Sequence, residues 1–83
     1  MDNRDFKVWL AQRKKLSERT VNDIISRLNR GAAIVPGFEK KRADEIIMLL
    51  NREEEFQKIS STVKSQIRRA FRLREEYQNS NTH

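Results

Sequence analysis

Apolar side chains recur along this chain at helical spacing, and no segment alternates with period two for long enough to form a strand. Four stretches carry the pattern. Phe6, Trp9 and Leu10 stand at i, i+3 and i+4, with Asp2 or Asn3 ahead of them as a cap, which predicts a first helix running to about Lys15. Val21, Ile24, Ile25 and Leu28 complete the i, i+3, i+4, i+7 stripe of a second helix. Ser17 suits its N-cap, Glu18 favours the positive end of its dipole, and Leu16 can staple onto Val21. Arg30 in the last turn and Gly31 at the C′ position mark its expected end. Ile46, Leu49 and Leu50, reinforced by Ile47 and Met48, predict a third helix over about residues 41–52. Val63, Ile67, Ala70, Phe71 and Tyr77 predict a fourth, starting after Ser60 or Ser61 and running to about Gln78.

Between these stretches the signals change. Gly31, Pro36 and Gly37 are the only Gly and Pro residues, and their clustering puts the clear break of the chain at residues 30–38. Residues 32–35 are apolar and are expected to pack as a short connector. Residues 53–59 leave two options open: a longer third helix, or a turn anchored by Phe56 and Ile59. Residues 79–83 are polar and expected to fray. The fold class expected is all-α: one domain over residues 1–83, a small four-helix bundle ordered from about residue 4 to 78. A single core of this size leaves about 3–5 kcal/mol of net stability.

Composition narrows the class. With no cysteine among 83 residues, disulfides and thiolate metal sites are excluded, and an intracellular setting is favoured. No apolar run approaches the roughly 20 residues of a membrane span, and residues 1–15 are too charged for a signal peptide. Eighteen Lys and Arg oppose twelve Asp and Glu, for a net charge of +6. The excess is unevenly placed: residues 1–30 carry +4, residues 31–56 carry −2 and residues 57–83 carry +4. Positive charge thus belongs to the first two helices and the last.

The fourth predicted helix is the sharpest case. Five basic residues and no acidic one fall within residues 60–74. Lys64, Arg68 and Arg72 step by four along one row opposite the core, with Ser65 and Arg69 adjoining, and the row meets no i, i+4 carboxylate until Glu76. Like charges at this spacing destabilise a solvated helix, so the run points to an anionic partner rather than to a plain solvated face. The second predicted helix offers a polar face of Arg19, Asn22, Asp23, Ser26 and Arg30, with Arg27 at its edge. Its start at residues 17–20 presents backbone N–H groups and two hydroxyls suited to a phosphate, although on this feature alone an ordinary cap is the favoured reading. Asn22, Ser26 and Arg19 are residue types that read base edges in a major groove.

The same segments carry a family resemblance. Residues 6–10 (FKVWL), 16–28 (LSERTVNDIISRL) and 60–72 (SSTVKSQIRRAFR) resemble the core-binding domain of tyrosine recombinases, the phage integrase family. The likeness spans about residues 5–77 and rests on degenerate helical patterns. It implies a SAM-like helical bundle that forms one half of a clamp on double-stranded DNA. Carried over by position, Ser17, Arg19, Thr20, Asn22 and Asp23 would face DNA from the second helix. Thr62, Lys64, Ser65, Arg68, Arg69 and Arg72 would face it from the fourth. Two departures matter. Ile24 stands where many members have Tyr, which keeps the position apolar, and the family's catalytic domain is missing. The chain is therefore expected to be a domain cut from a recombinase or a free-standing relative that binds without cutting.

Catalysis by the chain itself is not expected. The only histidine is His83 at the end, no P-loop or dinucleotide fingerprint exists, and Tyr77 sits on the apolar side of its helix as a packing residue. Glu39 and Lys41 resemble half of a nuclease signature without the strands it needs, and the Glu53, Glu54, Glu55 triplet suits a solvated helix end. No cofactor and no metal is expected. The partner expected is duplex DNA, with no membrane, a monomer when free, and a cytoplasmic, nucleoid-associated location. Two rivals remain open: a helix-turn-helix regulator reading DNA with the second helix, and a small interaction module docking on an acidic protein.

Overall fold

The computed structural model describes residues 3–80. Along the chain follow α1 (Arg4–Gln12), α2 (Glu18–Ile34), α3 (Ala43–Arg52), the single turn α4 (Glu54–Gln57) and α5 (Ser61–Ser80). A 3-10 turn, Phe38–Lys40, joins α2 to α3, and no strand occurs among the described residues. The fold is a small all-α bundle of four long helices and one short one. The periodic stretches of the sequence lie on the long ones.

The joints differ from expectation in ways the backbone explains. α1 stops at Gln12 rather than near Lys15, because Lys15 takes a left-handed φ of 56°. That conformation costs a residue with a Cβ roughly 1–2 kcal/mol. It turns the chain so that the Leu16 N–H donates back to the Leu10 carbonyl at 3.3 Å. Leu16 then lies half-buried against the core, and Ser17 caps α2 by accepting from the Thr20 N–H at 3.3 Å. Asn3 takes the N-cap position of α1 without a side-chain bond, and Asp2 lies outside the described residues.

Gly31 does not end α2. The helix continues through Ala32, Ala33 and Ile34, all compatible with helix, and stops where Pro36 forces Val35 into an extended conformation (φ −116°, ψ 91°). Residues 32–35 are thus mainly the last turn of α2 rather than a connector. Gly37, with φ 75°, supplies the left-handed residue of the turn that follows. Gly31 serves packing instead. A Cβ there would stand 2.9 Å from Ile67 Cγ2 and 3.0 Å from Phe71 Cζ, so its absence lets α2 lie close on α5.

The second half is closed by α5. Ser60 caps it by accepting from the Val63 N–H at 3.3 Å, and Glu75 reaches across to accept from the Ala43 N–H at 3.2 Å. A carboxylate at the start of α3 meets the positive end of that helix dipole. Glu53 breaks the run after α3 with an extended residue, and α4 then delivers Phe56 into the core, which resolves the two options for residues 53–59. α5 extends through Asn79 and Ser80, where the Ser80 hydroxyl donates to the Glu76 carbonyl at 3.0 Å; the rest of the tail expected to fray, residues 81–83, lies outside the described residues.

Phe6, Leu10, Leu28, Ile46, Leu50, Phe56, Ile67 and Phe71 form the fully buried centre, each contributing about 1.5–3 kcal/mol by leaving water. Tyr77 packs its ring 5.4 Å from Phe6 and 5.6 Å from Trp9, centroid to centroid, so it is a packing residue as expected. Met48 departs from its expected place in the core: it is 47% exposed on the outer side of α3. Gly31→Ala tests the helix contact. Helix propensity alone would stabilise by about 1 kcal/mol, whereas overpacking against Phe71 should give a net loss of about 1–3 kcal/mol by denaturant unfolding.

Candidate nucleic-acid interface

α2 and α5 share the most extensive contact of the bundle. Their apolar stripes meet at the centre, so the polar residues bordering each stripe face one another across the seam. Thr20, Asp23 and Arg27 follow at i, i+3 and i+7 on α2, while Gln66 and Arg69 stand at i and i+3 on α5. With Ile24 as floor they line a cleft of about 130 Å³. Arg27 is half-buried, and its Nε donates to Gln66 Oε1 at 2.8 Å across the seam. The Ser17 hydroxyl lies 3.0 Å from Thr20 Oγ1 and bonds to it, so the start of α2 is tied up locally.

The row of Lys64, Arg68 and Arg72 is less uniform than helical spacing implies. Lys64 and Arg68 are half-buried and lean toward α4, their charges 6.0 Å and 5.7 Å from the Phe56 ring centroid. Arg68 also donates weakly to Asn51 Oδ1 at 3.4 Å. The buried aromatic ring therefore underlies two cations and restrains them without neutralising them. Ser65, Arg69 and Arg72 are exposed, as are Arg19 and Thr62.

Arg74 leaves the cationic run altogether. It is 4% exposed, with its guanidinium 4.8 Å from the Phe38 ring centroid. Burial lowers its pKa from the ordinary arginine value, and the negative charge of Glu39 acts against that shift. One of the five basic residues in residues 60–74 is thus a core residue, and the surface charge of α5 is correspondingly smaller.

The eleven residues expected to face DNA do not form one cluster. Thr20, Asp23 and Arg69 meet in the α2–α5 cleft. Lys64 and Arg68 lie apart from it, over Phe56 of α4, with Ser65 and Arg72 on the exposed surface of α5. Asn22 points elsewhere: it borders a second groove, of about 270 Å³, opposite Lys7, Val8 and Ala11 of α1. Ser17 is occupied as a cap. Gln66 is a site residue that the sequence did not single out, and Arg27, expected only at the edge of the polar face, was not among the residues expected to face DNA. The i, i+3, i+7 row through Thr20 and the i, i+3 pair with Arg69 were the signals that could have found them.

Ion pairs sharpen the picture. Lys14 pairs with Glu76, Lys41 with Glu45, Arg42 with Glu75 and Lys58 with Glu54. None of Arg19, Arg27, Lys64, Arg68, Arg69 and Arg72 forms an ion pair with any described residue. A groove of about 350 Å³ beside Trp9 and Tyr77 is roomier, yet its charged walls are one cation and one carboxylate, Arg13 and Asp5. No three acidic, histidine or cysteine side chains gather to hold a metal ion among the described residues. No helix described is long and apolar enough to cross a membrane. No family model, curated protein or solved structure matches the chain.

Arg72 and Arg74 offer a direct test of the division between surface and core. Arg74→Ala should cost about 2 kcal/mol of unfolding free energy through lost packing over Phe38, and Arg72→Ala less than about 0.5 kcal/mol. Equal effects in denaturant titrations would contradict the placement.

Proposed function

We propose that the chain is a DNA-binding domain that grips duplex DNA through α2 and α5, as its resemblance to the core-binding domain of tyrosine recombinases implies. It performs no catalysis itself, and any cutting belongs to a catalytic domain elsewhere. The observation that carries the reading is the set of six cations on α2 and α5, two of them at the seam, that form no ion pair with a described carboxylate. Lys14, Lys41, Arg42 and Lys58 are used in ion pairs, whereas these six are left to an external anion. Rows of phosphates on a duplex supply such charge at regular spacing, and release of their counterions supplies much of the affinity. A cytoplasmic, nucleoid-associated location follows from the reading.

The packing of α5 against the polar row of α2 favours a two-helix grip over the helix-turn-helix alternative, in which α2 would act alone and α5 would lie apart from it. The alternative of a module docking on an acidic protein shares the same cations and differs in its dependence on salt and on DNA. Fluorescence anisotropy with a duplex of about 20 base pairs separates the two. Neutralising five or six phosphates gives a slope of log K against log salt of about −5. Replacing both Arg69 and Arg72 by Gln should bring it nearer to zero by about 2. A wild-type slope close to zero would contradict duplex binding.

A further inference from the structure

The chemistry of the α2–α5 cleft is not that of a phosphate pocket alone. A phosphodiester offers acceptors and negative charge, and a pocket made for it presents donors. This cleft presents donors on Arg27 and Arg69 together with the carboxylate of Asp23. Asp23 lies one turn before Arg27 on the same helix, the spacing at which opposite charges normally pair. It forms no ion pair with any described residue. Arg27 is held instead by Gln66 through Nε, which leaves both of its Nη groups without a partner among the described residues. The guanidinium plane is thereby oriented before any ligand arrives, and its outer edge is a free two-nitrogen fork.

We infer that this cleft reads the major-groove edge of a G·C base pair, with the Arg27 fork on the guanine and the Asp23 carboxylate on the paired cytosine. The inference rests on the duplex-DNA reading of the same face and names what that face recognises. Guanine presents two adjacent acceptors, O6 and N7, which match a guanidinium fork. Cytosine presents its N4 amino group as a donor, which matches a carboxylate. An A·T pair offers no two adjacent acceptors on one base, and a bare phosphate is repelled by Asp23. Gln66 is a positioning residue: its hydrogen bond restrains Arg27 in the free protein, so less side-chain freedom is lost on binding. Arg69, on the other wall, is left to a flanking phosphate.

Selection from a random duplex pool, followed by titration of single base-pair swaps in the selected site, tests this. The wild-type protein should require G·C at one position and lose about tenfold or more in affinity when it becomes A·T. Arg27→Lys keeps the charge and loses the fork, so the ratio at that pair should fall below about threefold while other positions keep theirs. Asp23→Asn should relax the same pair without tightening binding to every sequence. Thermal unfolding of each variant, matched to the wild type, shows that the fold is kept. Three results would overturn the inference and leave DNA binding standing: no G·C requirement, full discrimination retained by Arg27→Lys, or uniformly tighter binding of all duplexes by Asp23→Asn. Absence of duplex binding by the wild-type protein would remove both the inference and the reading beneath it.

Discussion

How closely α2 approaches α5 at Gly31 is the constraint on which the rest of the molecule depends. A glycine inside a helix costs about 1 kcal/mol relative to alanine, and here the missing Cβ is the space occupied by Phe71 and Ile67. Close approach buries Ile24, Leu28, Ile67 and Phe71 together. It also brings the polar rows bordering those stripes to hydrogen-bonding distance, so that Arg27 meets Gln66. Core and candidate site are therefore one geometric fact: a wider helix spacing would loosen the first and open the second.

Charge is sorted around that seam. The carboxylates of α5 are used for holding the bundle, Glu75 on the first N–H of α3 and Glu76 on Lys14. The cations of its middle are not used in that way, apart from Arg74, which is turned inward over Phe38. Phe56 restrains Lys64 and Arg68 from below, and Gln66 restrains Arg27 from the side. Neutral partners orient these cations while leaving their charge unpaired, the arrangement expected of a surface that waits for an anion. Surface ion pairs contribute little to stability in any case, so leaving these unmade costs the fold little.

The four long helices were legible because each carries an apolar stripe at period 3.6, and the caps at Ser17 and Ser60 follow from short hydroxyl side chains at the right offset. The ends were less legible. Gly31 has the identity of a helix stop, but whether a glycine ends a helix or admits a neighbour depends on what lies against it, which no local pattern encodes. Lys15 gives no sign of a left-handed conformation, since tertiary packing of Leu16 and α2 imposes it. Met48 is exposed because only one side of α3 has a partner. At the site, the basic row on α5 and the polar face of α2 were visible, but the division of that face was not. Asn22 and Asp23 are neighbours in sequence and border different grooves, and Arg74 leaves the surface because Phe38 offers it a ring.

The proposed grip places a duplex across the α2–α5 face. Amide chemical shifts recorded during titration with a short duplex, at two salt concentrations, test it most directly. The predicted result is shift changes on residues 19–27 and 62–72, with α3 unaffected, weakening together as salt rises. Changes confined to α1 and α3, or none at low salt, would contradict it.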